Sequence, residues 1–130
     1  MTGILPATNK IRSNYIKSIY QAGTVKIRIG HYPLNLPKRY KSEKLVMMSA
    51  CNPGGRIKAK GWNKRMMQKL SLYLSGYDYR KGTGTLRNFS EPLFMVVMDP
   101  SKAIVLARKF RQNAIVVIQD QRLSRLVFLN

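Results

Sequence analysis

Residues 45–55, with the sequence LVMMSACNPGG, determine how the rest of the chain is organised. The first four are apolar and indicate a buried strand. This strand has to end at the Asn-Pro-Gly-Gly segment, because proline lacks a backbone N–H and glycine allows backbone angles that other residues avoid. Apolar residues then recur at helical spacing. They predict a helix whose apolar face is formed by Trp62, Met66, Leu70 and Tyr73.

The predicted helix begins among cations, with Arg56 and Lys58 before it and Lys60, Lys64 and Arg65 outside its apolar face. A helix N-terminus attracts anions through its free N–H groups and its dipole. The turn is therefore a candidate anion site, in which the residues concerned are Ser49, Asn52, Gly54 and Gly55. The alternative is that the turn only connects a strand to a solvated helix.

The composition is strongly basic, since 24 Lys and Arg oppose five acidic residues among 130, for a formal net charge of +19. Self-repulsion of this size destabilises a compact state and indicates a polyanionic partner, with nucleic acid favoured over a membrane surface. A membrane is disfavoured because the sequence has no long apolar span and no lipidation motif. Cys51 is the only cysteine, so no internal disulfide is expected. With no secretory signal visible, we expect a cytoplasmic protein.

Further elements are predicted on both sides of the central turn, within one domain over residues 1–130. Thr8 and Gly23 fit the start and end of an N-terminal helix, and Asp99 and Asn113 fit those of a later one. The predicted elements are a helix over 8–21, a strand over 25–29, a loop over 31–42, an edge strand over 77–81, a glycine-rich loop over 82–92, a buried strand over 93–98, a helix from 99, and strands over 114–118 and 122–129.

The order of elements over residues 44–118 is β-α-β-β-α-β, which predicts a ferredoxin-like unit with its first and third strands at the sheet centre. We therefore predict an α+β fold with a mixed, mostly antiparallel sheet. Strands that are apolar on both sides need cover on both faces. The two inner helices would cover one face, and the N-terminal helix or the flanking strands over 25–29 and 122–129 the other. Nucleic acid would then contact helix faces and loops, because no open sheet face remains for base stacking.

Four segments resemble a family of small bacterial proteins known only as a domain of unknown function. They are Ser49-Ala50-Cys51-Asn52-Pro53, similar to the family's T-A-W-N-P, the loop with Gly82 and Gly84, Glu91 with the apolar strand after it, and residues 107–115, similar to A-R-x-F-x-Q-N-A-I. The resemblance covers residues 14–118 and implies the domain limits but no activity. Two features depart from the family. Cys51 replaces an aromatic residue, and the helix after the turn is basic where relatives are often acidic.

Polar side chains near the two ends of the predicted core form a second candidate site. In the predicted sheet, the end of the first strand and the start of the fourth lie on neighbouring strands, so residues 49–52 and 112–114 meet at one edge. With Glu91, these residues predict a polar pocket that contains Ser49, Asn52, Gln112 and Asn113. The alternative is that the amides only satisfy backbone groups of the turn.

Catalytic chemistry has little support in the sequence. The five acidic residues are scattered, and there is no phosphate-binding loop and no zinc-ligand spacing. A nucleophilic pair of Cys51 and His31 is the remaining candidate, but a single cysteine at a strand end is more typical of a buried structural residue. We therefore expect that the protein is not an enzyme and that it binds neither a metal ion nor a cofactor.

Basic and aromatic residues are interleaved over 38–41, 60–65 and 77–81. Lys and Arg neutralise phosphates and exposed Tyr stacks on bases, whereas Trp62 is expected in the core. We predict a non-enzymatic nucleic-acid-binding protein of bacterial or phage origin that contacts the phosphate backbone, with structured RNA favoured over DNA. The predicted contacts are Lys38, Arg39, Lys41, Arg56, Lys58, Lys60, Lys64, Arg65, Lys69, Arg80, Lys81 and Arg87.

Two alternatives remain open for the function. One is a small basic inhibitor or accessory factor, such as a phage-encoded anti-defence protein, that docks on a host nucleoprotein or an acidic protein. The other is an enzyme that uses residues 49–55 as an anion site.

Overall fold

A computed structural model describes residues 9–120 and 122–129, and within these ranges three α-helices and seven strands follow one another. The helices are α1 (Asn9–Lys17), α2 (Lys60–Tyr73) and α3 (Pro100–Lys109). The strands are β1 (Ile19–Ala22), β2 (Val25–Ile27), β3 (Lys44–Met48), β4 (Tyr79–Leu86), β5 (Phe89–Val97), β6 (Ala114–Gln119) and β7 (Arg125–Phe128). None of these helices is long and apolar enough to cross a membrane.

The strands form one sheet in the order β2-β1-β4-β5-β3-β6-β7. Every neighbouring pair is antiparallel, so the sheet is not mixed as the sequence suggested. The two most apolar segments, β3 and β5, lie side by side, with Val46 opposite Val96 and both fully buried. The prediction that the two apolar runs occupy the sheet centre is confirmed.

The helices α2 and α3 cover one face of the sheet. Leu70 of α2 and Ala107 of α3 belong to the same buried cluster as Val46, Val96 and Val117 of the strands. The start of α3 follows the sequence prediction, because the Asp99 carboxylate accepts a hydrogen bond from the Ser101 N–H at 2.9 Å and Pro100 takes the first helical position. The helix ends at Lys109, four residues before the predicted end at Asn113.

The opposite face is covered by the curl of the sheet itself. Val25 and Ile27 of β2 share a buried cluster with Val116 and Ile118 of β6, although four strands separate β2 from β6 in the sheet. Tyr15 of α1 packs against the same cluster. The sequence predicted cover from the N-terminal helix or from the flanking strands over 25–29 and 122–129, and described residues of all three segments pack in or against this cluster.

The curl brings the two ends of the sheet together at a seam formed by Gly30, His31 and Ser124. The Gly30 N–H donates to the Ser124 carbonyl at 2.8 Å, and the Ser124 N–H donates to the His31 carbonyl at 2.9 Å. These bonds join the segment after β2 to the segment before β7. The seam holds the curled sheet in place.

The predicted N-terminal helix over 8–21 is too long. It ends at Lys17, and residues 19–22 form β1, in which Tyr20 and Ala22 are buried and their neighbours exposed. Gly23, with φ of +58°, is part of the hairpin turn to β2 instead of a helix end. The spacing of apolar residues over 19–22 is compatible with a helix and with a strand. Pairing with β4 stabilises the strand. Thr8, the predicted cap, lies outside the described residues.

The segment predicted as an edge strand and a glycine loop, over 77–81 and 82–92, is a long hairpin. β4 lies inside the sheet between β1 and β5, and Gly82 and Gly84 are strand residues. A Cβ on Gly82 would lie 2.2 Å from the Gln21 carbonyl oxygen and 2.8 Å from the Ala22 Cβ. Glycine serves here for the close approach of β1 to β4, not for a turn.

The buried face of α2 also differs from the prediction. Met67 and Leu70 are buried in the helix, as is Leu74 just after it, whereas Tyr73 is exposed and Trp62 only partly buried. The face of α2 that packs against the sheet is therefore displaced around the helix axis from the predicted apolar face. Trp62 is therefore not a core residue.

We predict that Gly82→Ala destabilises the protein, because the added methyl group meets backbone at the β1–β4 contact. Overpacking of this kind costs about 1–3 kcal/mol. The matched control is Gly61→Ala in α2, where the nearest atom to the new Cβ is the Arg65 Nη1 at 3.7 Å. Alanine favours a helix over glycine by up to about 1 kcal/mol, so the control should be neutral or stabilising. The measurement is the free energy of unfolding in urea, and equal midpoints for the two variants would contradict the role assigned to Gly82.

Candidate functional site

The turn after β3 has an unusual backbone but no spare hydrogen-bond donors. Asn52, Gly54 and Gly55 all have positive φ, between +46° and +79°. Each N–H from residue 50 to 56 is donated within the described structure, except at Pro53, which has none. The Gly54 N–H, for example, donates to the Arg111 carbonyl at 2.7 Å. The donors that the predicted anion site at residues 49–55 requires are therefore already used. The helix α2 begins only at Lys60, so its N-terminus does not extend the turn.

Asn52 connects the turn to α2 and to β5. Its Oδ1 accepts from the Lys58 N–H and from the Asn63 Nδ2, both at 2.9 Å, and its own N–H donates to the Asn63 Oδ1 at 3.0 Å. Its Nδ2 donates to the Glu91 Oε1 at 3.0 Å. Nearby, the Ser49 hydroxyl donates to the Pro92 carbonyl at 2.8 Å. Asn63 was missed by the sequence analysis, although its place in the first turn of a helix behind Asn52 was a usable signal.

The structure brings together the predicted polar residues of the turn and of the segment just before β6. The Gln112 Nε2 donates to the Cys51 carbonyl at 3.0 Å and to the Phe110 carbonyl at 3.2 Å. Asn113 is only 4% exposed, and its Oδ1 has no hydrogen-bond partner in the part of the chain that the structure describes. Buried polar atoms are nearly always paired, so an unpaired acceptor is informative. Gln112 serves the turn backbone, whereas Asn113 keeps an unused acceptor.

These residues line a polar cavity of about 240 Å³. Its wall combines α1, the β1 strand, the turn, the β4–β5 hairpin and the start of β6. The polar residues around it include Tyr15, Tyr20, Asn52, Glu91, Gln112 and Asn113. Tyr15 and Tyr20 were not predicted as site residues, because both lie within the predicted N-terminal helix over 8–21.

Glu91 is the titratable centre of the polar cavity. Burial raises the pKa of its carboxyl group to about 7, although the hydrogen bond from Asn52 works in the opposite direction. Burial, reinforced by the charge of Glu91, raises the pKa of Tyr15 to about 12 and moves the pKa of Tyr20 further above its ordinary value. Among these three groups, only Glu91 changes its charge near neutral pH.

The candidate pair of Cys51 and His31, which the sequence disfavoured, does not form a nucleophilic site. Cys51 is buried in the cluster beneath α2 and α3, and burial raises the pKa of its thiol to about 11. His31 is exposed and belongs to the seam. A thiol that stays protonated at neutral pH is a poor nucleophile, so Cys51 is a small core residue.

A larger groove of about 920 Å³ lies between α2 and the β4–β5 hairpin, and we call it the basic groove. The helices leave this part of the sheet uncovered, whereas the sequence predicted that both faces would be covered. Tyr79 and Phe89 in its wall are 36% and 52% exposed. The cations that line it are Lys58, Lys60, Lys64 and Lys81. Asn52, Ile57, Phe89 and Glu91 line both the groove and the polar cavity, so the two spaces adjoin.

The other predicted nucleic-acid contacts do not line the basic groove. Arg39 forms an ion pair with Asp78 at 2.9 Å, near the short 3₁₀ turn over 38–40. Arg80 lies with its guanidinium 5.9 Å from the Tyr40 ring, and Arg87 is in the turn between β4 and β5 with φ of +54°. The remaining ones, which are exposed elsewhere, are Lys38, Lys41, Arg56, Arg65 and Lys69. The structure therefore gathers four of the twelve predicted cations.

Two ion pairs occur within residues 9–120 and 122–129: Arg39 with Asp78, and Lys44 with Asp99 at 3.8 Å. None of the four groove lysines takes part in either. The same residues contain no group of three or more histidine, cysteine or acidic side chains that could hold a metal ion.

A family model matches residues 48–115, just over half of the chain. The chain belongs to this family. It is described as "Protein of unknown function (DUF3293)", so membership assigns no activity. The matched range includes the turn, α2, the β4–β5 hairpin and α3, whereas Tyr15 and Tyr20 of the polar cavity lie outside it. No curated protein and no solved structure gave a match.

We predict that Glu91 makes stability depend on pH. The unfolded chain releases the Glu91 proton near 4.5 and the folded protein near 7, so the contribution of the neutral carboxyl is complete below pH 4.5 and is lost as the pH rises through 7. The loss is on the order of 3 kcal/mol. Glu91→Gln has no ionisable group at this position and so lacks this loss. The free energy of unfolding of the variant relative to wild type should therefore rise between pH 5 and pH 8.

The control for this prediction is Asp99→Asn. Hydrogen bonds from Ser101 lower the pKa of Asp99 below its ordinary 3.8, so its contribution is lost only in more acidic solution. The difference in free energy of unfolding between Asp99→Asn and wild type should therefore stay constant between pH 5 and pH 8. Urea unfolding at the two pH values measures both differences, and a constant difference for Glu91→Gln as well would show that Glu91 titrates normally.

Proposed function

We propose that the protein binds the phosphate backbone of nucleic acid in the basic groove, and that RNA with unpaired segments is favoured over DNA. The observation that carries this proposal is the set of four lysines, Lys58, Lys60, Lys64 and Lys81, which line one groove without an ion-pair partner among the described residues. Lysines placed this way neutralise phosphates and release counterions. The net charge of +19 adds long-range attraction.

The aromatic residues of the groove favour nucleic acid over an acidic protein as the partner. Tyr79 and Phe89 expose ring surface beside the lysines. Base stacking on such rings contributes about 1–3 kcal/mol per base, and it requires bases that are not already paired. Unpaired bases are typical of loops and bulges in structured RNA, which is the reason for favouring RNA.

We also infer that residues 44–118 form a ferredoxin-like unit. The strand order β4-β5-β3-β6 and the helices that follow β3 and β5 support this assignment. In this arrangement the basic groove lies beside the first helix, α2, on the half of the sheet that α3 does not cover.

We predict that replacing Lys58, Lys60 and Lys64 together by alanine weakens binding to a structured RNA by roughly tenfold or more at low salt. The salt dependence should fall too, because each lost phosphate contact lowers the slope of log K against log salt by about 0.7–0.9. The matched control removes the same charge elsewhere, by replacing Lys26, Lys102 and Lys109 with alanine. Fluorescence anisotropy across a salt series measures both quantities.

The two triple variants separate a groove from diffuse electrostatics. Both lose three charges, so a site in the groove requires a clearly larger loss for the first variant. Equal losses in the two variants would show that no site exists. Wild-type affinity that does not respond to salt would show that phosphate neutralisation is not the basis of binding.

A further inference from the structure

Glu91 stands out because it is an acid in a strongly basic chain, and it adjoins the basic groove without an ion-pair partner among residues 9–120 and 122–129. A carboxylate at this place weakens phosphate binding, so phosphate recognition does not account for it. Asn113, on the same cavity, is buried with an unpaired acceptor atom. The Glu91 carboxylate, which accepts one hydrogen bond from Asn52, and the unpaired Asn113 Oδ1 therefore line one cavity, and both can accept hydrogen bonds from a ligand.

We propose that the polar cavity binds one unpaired guanine base of the nucleic acid held in the basic groove, through the Glu91 carboxylate and the Asn113 side-chain oxygen. This inference rests on the proposed function. It adds base recognition to a groove whose lysines carry no sequence information.

The size and position of the cavity suit one base. Its volume of about 240 Å³ is below the roughly 300–1,000 Å³ of pockets for drug-sized ligands. It shares Asn52, Ile57, Phe89 and Glu91 with the basic groove, so a base turned out from a strand in the groove reaches it without a second entrance. Tyr15, Tyr20 and Phe89 supply aromatic surface in its wall, as pockets for flipped bases do.

The hydrogen-bonding groups select guanine among the bases. Guanine carries two adjacent donors, N1–H and N2–H₂, on its Watson–Crick edge, and a carboxylate accepts from both. The Asn113 Oδ1 is available for the remaining N2 hydrogen. An unpaired buried acceptor carries a desolvation penalty, and a ligand donor that reaches it removes that penalty. Uracil offers one donor between two acceptors, so it leaves at least one of these groups unsatisfied.

Protonation decides between guanine and the other bases. Ionised Glu91 accepts from guanine, whereas a neutral carboxyl group both donates and accepts and so suits adenine or cytosine. The titratable groups around Glu91 are Tyr15 from α1, Tyr20 from β1 and Cys51 from the turn after β3. Those that line the basic groove with it are Lys58, Lys60, Lys64, Tyr79 and Lys81. Burial keeps the two tyrosines and the thiol neutral at neutral pH. The preference for guanine should therefore increase as Glu91 ionises, from pH 6 to pH 8.

The experiment compares fluorescein-labelled octauridine with the same RNA that carries one central guanosine, inosine, adenosine or cytidine. Affinities are measured by anisotropy at pH 6 and pH 8. At pH 8 the guanosine RNA should bind roughly tenfold or more tightly than octauridine, as expected for one bidentate base contact. Inosine lacks the N2 amino group, so the affinity of the inosine RNA should lie between those of the guanosine RNA and octauridine. Glu91→Gln should bind guanosine RNA and octauridine with equal affinity. Glu43→Gln, which changes an exposed acid outside the cavity, should keep the wild-type preference for guanosine RNA.

The outcomes separate the two proposals. Binding of octauridine with no gain from guanosine overturns the guanine site but leaves nucleic-acid binding in place. Tighter binding of adenosine or cytidine RNA than of guanosine RNA at pH 8, where Glu91 is ionised, also overturns it. Failure of every RNA to bind overturns both. The wild-type series decides these points even if Glu91→Gln does not fold.

Discussion

The structure depends on the need to cover β3 and β5 on both faces. Their side chains alternate between two buried clusters, so that Val46 and Val96 face the helices while Met47 and Met95 face the other way. Apolar strands of this kind are stable only with a layer on each side. The helices α2 and α3 supply one layer. On the other side α1 contributes the partly buried Tyr15, and the sheet curls over itself to close that face.

The curl has two consequences for the surface. It presses β1 against β4 so closely that only glycine fits at residue 82, and it brings Tyr15 and Tyr20 to the side of Glu91. Polar groups are enclosed there because α1 and β1 close over the hairpin without filling the space. On the helix side, α2 leaves the β4–β5 hairpin partly open, and lysines from both walls border the gap. The polar cavity and the basic groove therefore both arise where the elements that cover the sheet do not fill the space beside the β4–β5 hairpin.

Strong local patterns were predictable from the sequence. The apolar runs of β3 and β5 and the Asp99 cap of α3 are patterns that few alternatives can satisfy, and they lie where predicted. Gly82 was misassigned because glycine suits both a turn and a close approach, and only the partner strand distinguishes them. The contact between Cys51 and Gln112 followed from the order of neighbouring strands. Tyr15 and Tyr20 could not be placed, because their position depends on the curl and not on any local pattern.

The family match covers the part of the chain that holds the basic groove but not the part that completes the cavity. Within the matched range, Asn52 fixes the Glu91 carboxyl group by a hydrogen bond, and Asn63 in turn fixes Asn52. The cavity floor and the groove therefore share one rigid support. Changes at Asn52 would affect both spaces at once, whereas changes at Tyr15 would affect only one.

The seam between Gly30, His31 and Ser124 has a meaning beyond shape. The outermost strands of an open sheet present unpaired backbone groups to other chains and promote edge-to-edge aggregation. Here the segments that continue β2 and precede β7 satisfy each other, and both outer strands are short. The price is kinetic. The Ser124 hydroxyl and the His31 carbonyl that it contacts are 93 residues apart, so the loop that closes the seam is long, and contacts at such separations slow folding. Protection from self-association therefore arrives only once nearly the whole chain has folded.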